Sequence, residues 1–133
     1  FCATGAATTT TTVVEAATYS SELVDAGNNF NPTTGRYTAP VAGIYQFNWT
    51  VQCNTVAGSA AIAYLRKNGV ATNYGTVGAS APTSTYALTS NPYAGGSFII
   101  SLAAGDYVSV YVSALGSAAA GVTHFSGNLV QLA

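Results

Sequence analysis

Alternation is the recurring pattern along the chain. From Gly43 onward, Tyr45, Phe47, Trp49 and Val51 fall on one side, and Gln46, Asn48, Thr50 and Gln52 on the other. That period of two is the mark of a strand with one buried and one polar face. Val108, Val110 and Val112 alternate with Tyr107, Ser109, Tyr111 and Ser113. The second set is partly aromatic, so this strand is expected to have two contact faces. Further strands are predicted near residues 1–6, 12–16, 19–24, 36–39, 60–67, 70–77, 86–90, 97–102 and 122–132. Turn signals separate many of them, among them Asn31-Pro32, Asn68-Gly69, Asn91-Pro92, Gly95-Gly96 and Gly105-Asp106. Good helix formers are scarce while threonine, valine, tyrosine and glycine are plentiful, so no helix of ordinary length is predicted. Many short strands at this spacing make the chain all-β: a sandwich, a jelly roll or a barrel.

Charge changes the picture more than any other property. Arg36, Arg66 and Lys67 stand against Glu15, Glu22, Asp25 and Asp106, for a formal net charge of −1. There is no basic stripe to displace counterions from nucleic acid and no polybasic segment for an anionic membrane. The apolar stretch over residues 97–122 is interrupted by Asp106 and several serines, so no run approaches the ~18 to 20 residues of a spanning helix. Nucleic acid and membrane insertion are therefore excluded from the expected partners. So bare a surface also lacks the repulsion that keeps domains apart, and part of it is expected to lie against identical neighbours.

The 133 residues suit one domain over 1–133, and nine tyrosines, five phenylalanines and one tryptophan argue against disorder. The sequence contains no methionine, so it reads as a processed product or a piece of something longer. Cys2 and Cys53 are the only cysteines. One disulfide and two buried thiols are both open readings.

A spaced series runs through Tyr19, Asp25, Phe30, Tyr37 and Gly43, with Tyr45 and Phe47 close behind. It resembles the signature of the globular heads of the C1q and tumour necrosis factor superfamily, with tyrosine at 19 and 37 where that family usually has phenylalanine. Gly95-Gly96-Ser97-Phe98-Ile99-Ile100-Ser101-Leu102 running into Gly105-Asp106, and Phe125-Ser126-Gly127, are similar to its late strands. The resemblance covers nearly the whole chain. It implies a ten-stranded jelly-roll β-sandwich and a threefold assembly about an axis lined by one sheet. On that reading Gln46, Asn48, Thr50, Phe125, Gly127 and Leu129 form the trimer interface. Tyr19, Phe30, Tyr37, Tyr45, Phe47 and Trp49 would fill the space between the sheets, each ring burying ~150 to 250 Å². Gly35 and Gly43 fit places that need positive φ or close approach. Asn128 stands where the family commonly carries an aromatic or aliphatic residue. Either that face is wetter here or Asn128 bonds a buried backbone group.

Catalytic chemistry finds little footing. His124, with Asp106 and one of many serines, can be drawn as a triad, but no Gly-x-Ser-x-Gly elbow positions a nucleophile. No catalytic residue is expected, and the chain is not expected to be an enzyme. No cofactor or metal is expected either. The four acids form no calcium loop, and Cys2, Cys53 and His124 lack zinc-type spacing. Because some C1q-like heads bind calcium, Asp25 and Asp106 are the places to look for it. Asn48-Trp49-Thr50 satisfies the glycosylation sequon but lies mid-strand on the face assigned to the trimer, where a glycan would block assembly.

The expected function is a non-catalytic, trimeric recognition or display head, outside the cell or on a particle surface. Its partners would be two copies of itself and an unidentified surface ligand or a coat or capsid lattice. Ligand contact is expected through loops near residues 54–59, 68–69, 78–84 and 115–121. The alternative is a structural decoration, cement or fibre-tip protein of a virion or microbial coat, where a charge-poor Ala/Thr/Ser/Gly composition is equally comfortable.

Overall fold

The computed structural model describes residues 1–9, 13–16, 18–53, 60–80, 93–115 and 119–133. Among these, every regular element is a strand. In chain order they are β1 (Cys2–Thr4), β2 (Ala6–Thr9), β3 (Val14–Glu15), β4 (Ser21–Val24), β5 (Phe30–Asn31) and β6 (Arg36–Thr38). Then come β7 (Gly43–Cys53), β8 (Ala60–Lys67), β9 (Tyr74–Ser80), β10 (Tyr93–Leu102), β11 (Tyr107–Leu115) and β12 (Ala119–Leu132). No helix among the described residues is long and apolar enough to cross a membrane.

The strands pair in two antiparallel sheets. One runs β10-β7-β12-β1-β4 and the other β5-β6-β11-β8-β9. Because β7 occupies one edge of β12, β1 and β2 follow one another along its other edge. In the same way β6 and β3 share the edge of β11 that β8 leaves free. Each sheet is thus five lanes wide, and the ten-stranded jelly roll is built from twelve segments.

The long alternating strands form where the period of two predicts them. The departures are local. The strand expected from residue 70 starts at Tyr74, because Asn68 and Gly69, both at positive φ, reverse the chain first. Of the one expected over 12–16, residue 12 lies outside the described residues, and within 13–16 the strand is Val14–Glu15. Phe30–Asn31 is too short to show a period and was not predicted. The Asn31 side chain at its end accepts hydrogen bonds from the Thr33 and Thr34 amides, starting the turn to β6. The strand expected over 86–90 lies outside the described residues. Gly35 has φ +69°, and a Cβ there would collide with the Ala16 carbonyl oxygen.

The core lies between the sheets. Tyr45, Phe47 and Trp49 of β7 face Val108, Val110 and Val112 of β11, and all six are at most 1% exposed. Tyr19, Phe30 and Tyr37 are also buried. Phe1 stacks on Phe30 and Tyr37, with ring centroids 4.6 and 4.8 Å away, and meets Phe125 edge-on at 4.9 Å. Such ring pairs contribute about 0.5–1.5 kcal/mol each beyond the area they bury.

Candidate functional site

Residues directly opposite one another in an antiparallel ladder send their side chains to the same side of the sheet. Along β7 and β12 one set of pairs is Trp49 with Phe125, Phe47 with Gly127 and Tyr45 with Leu129. The set between them is Thr50 with His124, Asn48 with Ser126 and Gln46 with Asn128. The first set faces the other sheet and the second faces outward.

Of the residues expected at the trimer interface, Gln46, Asn48 and Thr50 therefore lie on the outer face, but Phe125, Gly127 and Leu129 turn inward. Phe125 is 0% exposed and packs against the rings of Phe1 and Phe30. A Cβ on Gly127 would collide with the Phe47 ring, so glycine makes room for that ring. Leu129 reaches over Gly43 at the open end of the same inner side. The cause is register. A shift in the β12–β7 ladder between Val122 and His124 lets both Val122 and Phe125, three positions apart, point into the core. Strict alternation would have put them on opposite faces.

The outer places on β12 belong to His124, Ser126 and Asn128. Gln46 Nε2 donates to Ser97 Oγ at 3.3 Å, and His124 Nε2 lies 3.0 Å from Ser126 Oγ. Asn128 is exposed, and its amide reaches only the neighbouring Leu129 carbonyl, at 3.4 Å. It bonds no buried backbone group within the single chain. Ile99, opposite Gln46, and Val24, opposite Cys2, add exposed apolar surface. Strands β1, β7, β10 and β12 contain no lysine, arginine, aspartate or glutamate.

The outer face of the other sheet is its opposite in chemistry. Arg36 grips Glu15 through two hydrogen bonds of 2.8 and 2.7 Å, and Ser109 Oγ donates to the same carboxylate at 2.6 Å. Burial alone would raise the Glu15 pKa, but these donors hold it below the usual value. The Arg36 guanidinium lies 4.4 Å from the Tyr107 ring centre, and that of Arg66 lies 4.5 Å from Tyr111, which stacks on Tyr64. The expected second contact face of the Val108 strand is this one. Its cation–ring partners were not identified from sequence, because they come from three different strands.

The residues drawn as a triad are not brought together. Asp106 sits in the turn before β11, where it accepts from Lys67 Nζ at 2.6 Å, Asn68 Nδ2 at 2.7 Å and the Ala103 amide at 2.7 Å. His124 stands on the outer face of the other sheet beside Cys2 and Ser126. Asp25 accepts from the Phe30 amide at 2.7 Å. Both acids proposed for calcium thus hold local backbone, and no three metal-ligating side chains cluster among the described residues. The disulfide reading also falls. Cys2 is free, and it is registered through Ser126 with Asn48, five positions along β7 from Cys53. At 3.2–3.4 Å per residue that is roughly 16 Å, well beyond the ~7 Å limit between bridged Cα atoms.

The expected ligand loops do not share one end. The strand ends at Cys53, Ala60, Ser80, Leu115 and Ala119 lie together, through the pairs Ala60–Ser80, Ala60–Leu115 and Ala120–Cys53. Asn68 and Gly69, at the far end of β8, lie at the opposite pole, bonded to Asp106 and Tyr107. Residues 54–59, 81–84 and 116–118 of the expected loops lie outside the described residues. A polar recess of about 380 Å³, lined by Glu22, Asn28, Asn29 and Asn31 among others, opens beside β4 and β5. No sequence signal marked it.

In structure the chain is similar to the globular domain of zebrafish complement 1qA protein, with a TM-score of 0.64 at 19% identity, covering 98% of this chain and 95% of that one. It is also similar to Eiger TNF from S. frugiperda, with a TM-score of 0.49 at 14% identity over 78% of this chain and 68% of that one. Among curated proteins none matches. The family model of the C1q domain matches residues 1–130. By that match, over nearly its whole length, the chain belongs to the C1q domain family.

Proposed function

We propose that the chain, as one C1q-like head over residues 1–133, forms a homotrimer that works as a non-catalytic recognition or display module, outside the cell or on a particle surface. The observation that carries this reading is the uncharged outer face of the β10-β7-β12-β1-β4 sheet. It offers short polar side chains and the apolar Ile99 and Val24, and its strands β1, β7, β10 and β12 bear no charge to desolvate. Burying such a face avoids the cost of stripping water from ions, a cost the Arg36–Glu15 face would incur. Threefold closure uses it up without leaving an open contact for further growth. Three heads would present their loops together, so a weak contact made by each is multiplied by avidity. The pole where Cys53, Ala60, Ser80, Leu115 and Ala119 meet is the end assigned to the ligand.

Sedimentation or light scattering of the dilute protein should give about three chains per particle. Asn48→Arg and Ser126→Arg, each placing a charge on the outer face, should yield folded monomers with unchanged far-ultraviolet circular dichroism. A wild-type protein that stays monomeric, or charged variants that still form trimers, would overturn the reading.

A further inference from the structure

Two metal-ligand side chains meet on the outer face, and neither assembly nor the core accounts for the meeting. Cys2 and His124 are distant in sequence, but the β1–β12 ladder sets Cys2 opposite Ser126, so that the thiol lies beside the imidazole. Cys2 Sγ is 3.9 Å from His124 Nδ1, and His124 Nε2 is 3.0 Å from Ser126 Oγ. When Nε2–H donates to Ser126, Nδ1 is left with its lone pair toward the sulfur. Metal-bound histidines are held in this way, with the second ring nitrogen anchored by a neighbouring acceptor that fixes ring orientation and tautomer.

The distances fit as well. A tetrahedral zinc-class ion, bonded at about 2.3 Å to sulfur and about 2.0–2.1 Å to nitrogen, separates its two ligands by about 3.6 Å. Closing from 3.9 Å needs only a small side-chain rotation. Both side chains are half-buried in the single chain, so the pair is open to solvent before that face is sealed. No lysine or arginine occurs on β1, β7 or β12 to repel a cation.

We propose that Cys2 and His124 form a bidentate site for a thiophilic divalent ion of the zinc class, oriented by Ser126 and completed by water. A thiolate and an imidazole together select such an ion over calcium or magnesium. The absence of zinc-type spacing in the sequence does not weigh against the site, because strand pairing brings the two ligands together. The site does not depend on the trimer, although it lies on the same face.

Cobalt(II), titrated into the reduced full chain at neutral pH, is the probe. One cobalt per chain should bind with a near-ultraviolet thiolate-to-metal charge-transfer band that zinc(II) abolishes. Cys2→Ser should remove the band. Ser126→Ala should keep the band and weaken binding by about 10- to 100-fold, as loss of an outer-shell partner does. His124→Ala should weaken it at least as much, with circular dichroism confirming that every variant is folded. No band at millimolar cobalt, or a band that survives in Cys2→Ser and so belongs to Cys53, would overturn the proposal. Particle mass measured on the same samples keeps the two ideas apart. A monomer that binds cobalt refutes only the trimer, and a trimer without the band refutes only the metal site.

Discussion

Among the described residues, the Tyr19 hydroxyl finds no hydrogen-bond partner. The residue is 6% exposed, and its phenolic oxygen is buried with no hydrogen bond. Burial, with the nearby Glu15 charge adding to it, pushes the ionisation of this phenol far above its ordinary range. A buried donor without an acceptor costs about 1–3 kcal/mol. Tyr19→Phe should therefore raise stability by up to that amount, seen as a higher urea midpoint with an unchanged slope. A fall in midpoint would mean that the oxygen does hold a bond. The ring at position 19 was legible in the sequence because fixed spacing between aromatics survives one extra oxygen. The facing of Phe125 was not. Which side it takes depends on the β7 residue it meets and on the irregularity after Val122, and neither leaves a mark in residue order.

Single strands were read well where the period of two ran long, as in β7, and poorly where an element was shorter than its own period, as in β3 and β5. Turns between strands carry their own chemistry. Asp106 ties the turn before β11 to the end of β8, and Asn68 closes the knot by accepting from the Tyr107 amide at 2.9 Å. Hydrogen bonds from Lys67, then from Asn68 and from the Ala103 amide, lower the Asp106 pKa from 3.8 to about 2. A group held lower in the folded than in the unfolded chain adds stability that is present above the unfolded value and lost as pH falls through the folded one. The urea midpoint should accordingly drop as pH goes from about 4 to about 2. Asp106→Asn should be less stable at neutral pH and should lose part of that drop, with Glu15 supplying the rest. Equal slopes for variant and wild type over this window would show that the knot adds nothing.

The whole molecule is a sandwich with two unlike outsides, one neutral and one studded with arginine, glutamate and tyrosine. If the neutral side is the one that seals, ionic strength should hardly matter to assembly. Raising salt from about 0.1 M to about 1 M shortens the screening length from ~10 to ~3 Å. Particle mass and dissociation midpoint should stay the same across that change, whereas a trimer that falls apart in salt would place charged side chains in the contact. The order of the lanes has a separate bearing on how the protein is made. The first strand and the central β7 both lean on β12, the last of the twelve strands in chain order. A nascent chain complete to Leu115 still lacks Phe125, whose ring packs against Phe1, Phe30 and Phe47. Sealing thus waits for β12 to emerge, and until then the rings it covers are open to chaperones and to sister chains on the same message.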